Sequence, residues 1–313
     1  MNDFTIGMIG LGATMLLVAL RVRVGVALGL VSFIGIAQIL NLKAAWGIIT
    51  AVPFLFVGDW NLTAVPMFLL MGYVASTTGL TSELFGVLRL MLIRLPGGLA
   101  VASVGACAVF AAASGSSVAT AAAMSRIATP EMLKYRYDPG LASGVIAASG
   151  TLGSLIPPSI IMILYGYFAE VSIGKLFIAG IVPGIVSALI YAAMIVGRVM
   201  VNPSLAPSID EPVDWRAVVR QSLGVWPVPL LILGVLAGIF AGIFTPTEAG
   251  AVGALLAIVV AAVQRRLTRQ AMRDAISQTL RSTAGVFMVV IGTVLLTRFM
   301  ALSGVPDQVA AAI

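Results

Sequence analysis

Long runs without a single charged residue constrain this chain more than any other feature of its sequence. Val24–Leu40 and Leu223–Phe244 are the clearest of these apolar runs. Only 10% of the 313 residues are charged, whereas a soluble domain carries about 25% because water must solvate its surface. Lipid must therefore cover much of the chain, and lipid admits only helices or closed barrels as spanning structures. Barrel strands alternate apolar and polar residues, which these runs do not, so we predict an all-α polytopic membrane protein.

Positive charges occur in short groups beside the apolar runs. The net charge is +6, but arginines scattered next to apolar segments are typical of cytoplasmic loops rather than of a nucleic-acid surface. Arg21 and Arg23 form such a group directly after the first predicted span, Thr5–Leu20. The positive-inside rule places this turn in the cytoplasm and the N-terminus outside.

Residue types that usually hold cofactors are scarce. The sequence has no histidine and a single cysteine, Cys107, so the usual zinc, haem and iron–sulfur ligand sets are absent. Catalysis by a nucleophile–histidine pair is excluded for the same reason. We therefore predict neither an enzyme nor a resident cofactor.

The apolar runs predict eleven spans or half-spans, several of them shorter than the roughly 20 residues that a full span needs. They are Thr5–Leu20, Val24–Leu40, Leu62–Leu80, Gly98–Ala113, Val118–Ala128, Leu141–Ile156, Ile160–Tyr167, Leu176–Val199, Leu223–Phe244, Ala249–Val263 and Ala284–Leu302. Two stretches that mix charges with Leu and Phe or Ile, Ser82–Arg94 and Thr268–Arg281, predict helices at the membrane surface. Asn202–Trp215 is rich in proline and acidic residues and predicts an aqueous loop between two halves of the molecule.

A Ser-Gly-Ser-Ser sequence, Ser114–Ser117, interrupts one apolar segment. Small residues on both sides allow two helical arms to pack closely, with the polar break as the turn between them. Non-helical backbone at membrane depth persists only when it is buried in protein or lines a wet cavity. The segment therefore fits a re-entrant hairpin with its tip inside the protein. A continuous helix whose serines bond their own i−4 carbonyls is the alternative, and local composition does not separate the two.

A second break lies nearby, at Gly150–Ser159. Pro157 and Pro158 each lack an N–H and their rings clash with the preceding turn, so a continuous helix is broken here. The candidate ligands for a cation such as sodium are the freed carbonyls near Leu155 and Ile156 and the hydroxyls of Thr151, Ser154 and Ser159. A simple proline kink is the alternative. Two such breaks in neighbouring segments point to the binding site of a secondary transporter, which favours the hairpin at Ser114–Ser117.

Thr245-Pro246-Thr247-Glu248 opens a later apolar segment. Thr245 is placed to cap a helix that begins at Pro246, with Glu248 in its first turn near the positive end of the helix dipole. This structural role is favoured over the alternative, an intramembrane carboxylate coupled to a cation or a proton.

Two arginines, Arg126 and Arg298, interrupt apolar stretches. Each fits one of two roles, binding an anionic substrate or snorkelling to the membrane surface. Snorkelling is the favoured role at this point, since a long side chain reaches the interface from inside a span.

Six blocks of the sequence, taken together and in order, resemble the large membrane subunit of tripartite ATP-independent periplasmic (TRAP) transporters. They are Ala64–Gly72, Leu95–Ala100, Phe110–Ala123, Gly150–Ser159, Ser172–Gly184 and Gly242–Ala251. Each block alone is a weak signal, whereas six in sequence cover nearly the whole chain.

The resemblance implies a sodium-coupled symporter in a bacterial inner membrane that imports an organic acid such as a dicarboxylate. It implies two protein partners, a small four-helix membrane subunit and a periplasmic solute-binding protein. In such a membrane the outside N-terminus predicted from Arg21 and Arg23 is periplasmic. It also implies an elevator-type fold, in which a transport domain with re-entrant hairpins and broken helices slides against a scaffold.

Carried over residue by residue, the resemblance assigns a site and four segments. The first hairpin tip is Ser114, Gly115, Ser116 and Ser117, with Thr120 close behind it. The unwound helix that faces it contributes Gly150, Thr151, Gly153, Ser154, Pro157, Pro158 and Ser159, and sodium would lie between tip and helix. Thr245, Pro246, Thr247 and Glu248 belong to the second repeat. The segments are 1–96 (scaffold), 97–170 (transport domain), 171–222 (connecting helix and polar loop) and 223–313 (start of the second repeat).

The family pattern continues beyond Ile313 through a second hairpin and a second broken helix. We therefore expect inverted-repeat architecture with the second repeat incomplete, and a fragment or truncated product that does not transport by itself.

Two other functions compete with this one. A stand-alone elevator-type carrier or ion exchanger would use the same broken helices without the partners. A membrane-embedded serine enzyme would need Ser116 or Ser117 as the nucleophile and a lysine base, but Lys43, Lys134 and Lys175 all lie near predicted loops or surfaces.

Overall fold

A computed structural model describes residues 2–207 and 214–312. All regular elements within these residues are helical, which confirms the predicted all-α membrane class. The α-helices are α1 (Asp3–Ala19), α2 (Val24–Ile39), α3 (Leu42–Val57), α4 (Ala64–Thr77), α5 (Leu80–Leu92), α6 (Gly98–Ser114), α7 (Ser117–Lys134), α8 (Pro139–Gly150), α9 (Leu152–Leu155), α10 (Ile160–Phe168), α11 (Ile173–Val201), α12 (Trp215–Val225), α13 (Pro227–Phe240), α14 (Pro246–Val263), α15 (Arg269–Ser303) and α16 (Val305–Ala312). Short 3₁₀ turns occupy Trp60–Thr63 and Pro203–Leu205. Most of the predicted aqueous loop, residues 208–213, lies outside the described residues.

Three of the described helices, α11, α14 and α15, are by themselves long and apolar enough to cross a membrane. Three further pairs of helices reach that length only together, each across a short break. One of these pairs is α8–α9 with α10, which is bent by 42°, and another is α12 with α13, which is bent by 48°. The chain is therefore a multi-pass membrane protein in which several spans are interrupted.

Two parts of the helix prediction were wrong. The predicted spans omitted α3, whose apolar run contains Lys43 and Pro53; the structure keeps Pro53 inside the helix, as membrane helices tolerate. The predicted surface helix Thr268–Arg281 is not a separate element but the first part of the 35-residue α15. No glycine or proline separates Arg281 from the apolar run that follows, so the helix continues.

The chain divides into two compact units. The first unit comprises residues up to Asp59 and from Arg281 onward. Its core surrounds Phe299, which is fully buried and lies against the backbone of Gly10 in α1 and Gly35 in α2. A side chain at either glycine would overlap the ring, so small residues let these three helices approach closely.

The second unit, Trp60–Leu280, contains both predicted breaks. α6 lies at its centre, packed against α4, α5, α7, α8 and α11. Seventeen residues long, α6 is buried along most of its length, with Leu99, Ala106 and Cys107 fully shielded from solvent. Alanine, glycine and serine dominate its sequence, which is why so many helices can surround it.

One end of this unit carries a network of charged and polar contacts, which we call the basic end. Arg89 of α5 forms an ion pair of 2.6 Å with Glu131 of α7 and donates a hydrogen bond of 2.6 Å to the Tyr135 hydroxyl. Arg266, after α14, pairs with Glu83 of α5. The amphipathic helix predicted at Ser82–Arg94 is thus α5, and ion pairs join it to α7 and to the residues after α14.

Candidate functional site

The chain reverses direction at Gly115. α6 ends at Ser114, Gly115 adopts a left-handed conformation with φ of 64°, and α7 begins at Ser117. Ser116 caps α7, its side chain accepting a hydrogen bond of 3.3 Å from the Ala119 N–H. A left-handed residue ends a helix and glycine adopts it without strain. The continuous-helix alternative was therefore wrong, and the chain forms a helical hairpin here; that the hairpin is re-entrant stays a prediction.

The first arm of the hairpin, α6, begins at the basic end, and the second arm, α7, finishes there. The Tyr137 hydroxyl, just after α7, accepts a hydrogen bond of 3.3 Å from the Leu99 N–H at the start of α6. Tyr137 is 3% exposed, and burial raises the pKa of its phenol, so the hydroxyl stays neutral. The two arms thus lie antiparallel, and the turn at Gly115, which is buried, lies about 25 Å along α6 from this contact at 1.5 Å per residue.

Two hydroxyls inside the tip bond to each other. The Ser114 and Thr120 oxygens lie 2.9 Å apart, and the Thr120 hydroxyl is also 2.8 Å from the Ser116 carbonyl, to which it donates. Ser114 is 1% exposed and Thr120 fully buried. The half-buried Ser117 hydroxyl makes no hydrogen bond within residues 2–207 and 214–312. Ser117 therefore has lone pairs available to a ligand.

The second predicted break is a real interruption. α9 ends at Leu155, and both Ile156 and Ser159 have extended backbone before α10 begins at Ile160. Pro157 and Pro158 lie between them, without N–H groups to donate. No described donor bonds the carbonyls of Ile156, Pro157 or Pro158. These are free main-chain oxygens in a buried segment, the type of ligand that unwound transporter helices offer to sodium.

The tip and the break touch. The Gly115 carbonyl accepts a hydrogen bond of 2.9 Å from the Ile160 N–H. A Cβ placed on Gly153 would lie 2.7 Å from the Ser117 nitrogen, and one on Gly150 would lie 2.7 Å from the Ala121 Cβ. The glycines thus let the broken helix lie directly on the backbone of the hairpin.

The predicted hydroxyls of the broken helix have local partners. Thr151 donates to the Ala148 carbonyl at 2.6 Å, and Ser154 donates to the Thr151 carbonyl at 2.6 Å. Ser159, which is fully buried, donates to the Ser154 carbonyl at 2.9 Å. Each hydroxyl still has an unused acceptor lone pair, but its main role here is to satisfy carbonyls released by the break.

Three close contacts at this site were missed by the sequence analysis. Gly72 of α4 lies against Ser114, where an added Cβ would be 2.5 Å from the Ser114 Cα. Gly180 and Gly184 of α11 lie against Leu155 and Ile156. The Gly180-x-x-x-Gly184 spacing, typical of close helix packing in membranes, was a usable signal; Gly72 had no comparable partner in sequence.

The motif Thr245–Glu248 forms the predicted helix cap, and it lies apart from the hairpin turn at Gly115. Thr245 accepts from the Glu248 N–H at 3.3 Å, while the Glu248 carboxylate accepts from the Thr245 N–H at 2.8 Å, which is a reciprocal capping box. Thr245 and Pro246 line an open cavity of about 820 Å³ together with the α10–α11 turn, including Glu170. Thr245 and Pro246 therefore do not belong to the site near Gly115. Thr247, the remaining residue of this motif, is buried.

A buried hairpin turn packed on a broken apolar helix is typical of a helical membrane transport protein. Residues 11–313 match the family model described as tripartite ATP-independent periplasmic transporter, DctM component, and the chain belongs to this family. The family consists of transport permeases rather than enzymes, so the serine-enzyme alternative is dropped.

Curated relatives agree with this assignment. The chain is 40% identical over 198 residues to the C4-dicarboxylate TRAP transporter large permease protein DctM of Pseudomonas aeruginosa, covering 63% of this chain and 45% of the relative. It is 38% identical over 202 residues to the protein of the same description from Vibrio cholerae, covering 64% and 44%. It is 37% identical over 174 residues to the isethionate TRAP transporter permease protein DctMQ of Oleidesulfovibrio alaskensis, covering 54% and 27%. The chain thus spans less than half the length of these relatives in each match.

Proposed function

We propose that this chain forms part of the large membrane subunit of a sodium-coupled symporter for a small organic acid. The main support for this proposal is the hydrogen bond between the Ile160 N–H and the Gly115 carbonyl, which joins the hairpin turn to an unwound helix with free carbonyls. In this proposal a sodium ion is held by the Ile156 and Pro157 carbonyls and the Ser117 hydroxyl. Uncharged oxygens suit a weakly bound monovalent cation, and unwound helices supply them in secondary transporters.

The proposed motion is of the elevator type. α6, α7 and α8–α10 are joined by glycine contacts at Gly150 and Gly153 and by the Gly115–Ile160 hydrogen bond. Packed elements of this kind move as one body rather than deform. We infer that residues 97–170 belong to the moving part, with 1–96 as scaffold, 171–222 as connector and 223–313 as the start of a second repeat. α4 and α5, from the proposed scaffold segment, pack against α6 within the same compact unit, so by the same argument they move with the hairpin.

Partners and location belong to the same proposal. The relatives are described as TRAP transporter permeases, so we infer a small membrane subunit, a periplasmic solute-binding protein and a bacterial inner membrane. The short turn with Arg21 and Arg23 supports a periplasmic N-terminus through the positive-inside rule. Dicarboxylates and isethionate, named for the relatives, are small anions, which supports a small organic acid as the cargo.

The test is uptake by the complete transporter carrying this sequence, reconstituted with its partner proteins in proteoliposomes. We expect uptake of a labelled C4-dicarboxylate to require sodium and the binding protein. Ser117→Ala should raise the half-saturating sodium concentration about tenfold, the effect of losing roughly 1.4 kcal/mol of ion binding.

Ser125→Ala is the matched control, because Ser125 lies on the same helix but is exposed and donates to the Ala122 carbonyl. It should leave sodium dependence unchanged. Uptake that ignores sodium, or that proceeds without a binding protein, contradicts the proposal and favours the stand-alone carrier.

A further inference from the structure

A cavity of about 400 Å³ lies between α8 and α11, and we call it the α8–α11 groove. Its walls are largely apolar, formed by Leu141 and Val145 of α8 and by Met194 and Ile195 of α11. Met194 is 53% exposed, so the groove is open along its side. In a multi-pass membrane protein, exposed apolar surface between two helices is covered by the hydrocarbon chains of lipid, which are as apolar as leucine.

Two glycines of α8 make room along the groove. Gly140 and Gly144 lie one turn apart on the face that lines it. A Cβ placed on Gly144 would meet nothing within 4 Å, so no described residue fills the space beside it. Small residues four apart usually let a neighbouring helix pack closely in a membrane. Here they leave a channel beside α8 that is narrow and unfilled by the described part of the chain.

Two side chains of opposite charge lie at the basic end of the groove. Asp138 caps α8 by accepting a hydrogen bond of 2.8 Å from the Leu141 N–H, and Arg198 lies in the last turn of α11. The Asp138 N–H donates to the Leu205 carbonyl at 2.8 Å, which brings the start of α8 to the residues that follow α11. Neither charged side chain forms an ion pair with any residue among those described. The groove thus has a carboxylate and a guanidinium at one end that are not paired with each other.

Hydroxyl groups close the inner end of the groove. The Tyr191 and Thr151 hydroxyl oxygens lie 3.3 Å apart. The Ser149 hydroxyl is buried without a hydrogen-bond partner in the described residues, but a helical serine can bond the carbonyl four residues earlier, so it does not require a polar ligand. Ser149 lies eleven residues after Asp138, which makes the groove about 16 Å long at 1.5 Å per residue. This length is close to half of the roughly 30 Å hydrocarbon core, which is the depth of one leaflet.

We propose that the α8–α11 groove binds one phosphatidylethanolamine molecule from the leaflet that contains the basic end. The lipid phosphate contacts Arg198, the lipid ammonium contacts Asp138, and one acyl chain lies over Gly140 and Gly144. A guanidinium binds a phosphate through paired hydrogen bonds, and basic pockets between membrane helices bind lipid head groups. The carboxylate favours a zwitterionic head group, because phosphatidylglycerol has no ammonium to offer it. This inference goes beyond the proposed function and does not depend on sodium or on the cargo.

The test is native mass spectrometry of the purified chain in detergent, titrated with phosphatidylethanolamine and, separately, with phosphatidylglycerol. We expect phosphatidylethanolamine to bind about tenfold more tightly, the effect of one charge-assisted hydrogen bond. Arg198→Gln should weaken binding of both lipids by about tenfold, because both carry a phosphate. Asp138→Asn keeps the helix cap and should weaken phosphatidylethanolamine alone, so that the preference disappears.

Gly144→Leu tests the position of the acyl chain. The leucine side chain enters open space on a helix that it also favours, so it should block the groove without unfolding the chain. Binding of both lipids should weaken by about tenfold through lost apolar contact. Gly197→Leu is the matched control: a Cβ on Gly197 of α11 also meets nothing within 4 Å, but this residue does not line the groove. Arg220→Gln, at an exposed position of α12, is the charge-matched control for Arg198→Gln. Both controls should bind lipid as the wild type does.

Three results would overturn the inference. One is equal affinity of the wild-type chain for the two lipids, and another is wild-type affinity in Arg198→Gln or Gly144→Leu. The third is displacement of the lipid by an equal concentration of glycerophosphoethanolamine, since the groove would then bind a soluble phosphate ester rather than a lipid. The same titration with the complete large subunit that carries this sequence should give the same preference. A lipid bound by the chain but not by the complete subunit would mean that protein covers the groove, and the inference would fail.

Discussion

The Gly115 carbonyl accepts a hydrogen bond of 2.9 Å from the Ile160 N–H. This single bond joins the turn of one broken segment to the first residue of the helix that resumes after the other. It also uses an N–H that a helix start leaves without an intrahelical partner. The tip is therefore fixed in position by main-chain atoms, whatever side chains line it.

Gly153→Ala tests how closely the broken helix must approach the hairpin. The new Cβ would lie 2.7 Å from the Ser117 nitrogen, and overpacking of this kind costs about 1–3 kcal/mol. Thermal unfolding of the purified chain in detergent should show the loss. Gly144→Ala is the matched control in α8, since its Cβ meets nothing within 4 Å; it should stabilise by up to about 1 kcal/mol through helix propensity. Equal effects of the two substitutions would contradict the contact.

Thr120→Val tests the hydroxyl pair inside the tip. Valine keeps the shape but leaves the buried Ser114 hydroxyl without its 2.9 Å partner, at a cost of about 1–3 kcal/mol. Adding Ser114→Ala should recover part of that loss, which a double-mutant cycle in detergent measures. Thr297→Val is the control: Thr297 is exposed and bonds its own helix carbonyl, so it should change stability by less than about 0.5 kcal/mol. Additive effects at 114 and 120 would mean that the two hydroxyls do not interact.

Thr245→Ala and Glu248→Gln separate the two roles proposed for the second-repeat motif. Loss of the cap at Thr245 should destabilise by about 1 kcal/mol. Glutamine at 248 can still accept from the Thr245 N–H, so Glu248→Gln should have little effect on stability or on sodium-dependent uptake by the complete transporter. A loss of sodium dependence in Glu248→Gln with normal stability would instead support a carboxylate coupled to the cation.

The ion pair between Arg89 and Glu131 should be worth little by itself. Both side chains are partly exposed, at 27% and 21%, whereas the Glu131 Oε1 that contacts Arg89 is buried, so solvent screens the pair in part. Thermal unfolding of Arg89→Gln, Glu131→Gln and the double variant should give a coupling of about 1 kcal/mol or less. Arg89→Gln alone should cost more than Arg220→Gln at an exposed position of α12, because it also removes the hydrogen bond to Tyr135. A coupling well above that would mean that the pair is more completely desolvated than its exposure indicates.

The break at Pro157–Pro158 was predictable from local chemistry, whereas the break at Ser114–Ser117 was favoured only because a second break lies in the neighbouring segment. Gly115 is the residue that can reverse a helix at φ of 64°, and paired prolines at 157 and 158 remove two donors in succession. The sequence also indicated the cap at Thr245, whose partners lie within three residues. These features depend on residues close together in the chain, so the sequence alone shows the positions where they can form.

The contacts between breaks were not predictable in the same way. Gly72 meets Ser114 across 42 residues, and nothing in the α4 sequence distinguishes it from other glycines in apolar helices. The assignment of Ser159 as an open ligand was incomplete for the same reason, since its hydroxyl already donates to the Ser154 carbonyl. Long-range packing decides which polar atoms remain free, and it emerges only when the helices are placed together.

The contact between Leu99 and Tyr137 also places the start of α6 and the end of α7 on the same side of the membrane. Had the segment around Gly115 been one continuous helix, the chain would have changed compartment between residues 97 and 137. Because it returns, Arg89 and Arg94 before the hairpin stand in the same compartment as Lys134 and Arg136 after it. One glycine at the turn thus determines the compartment of every loop downstream.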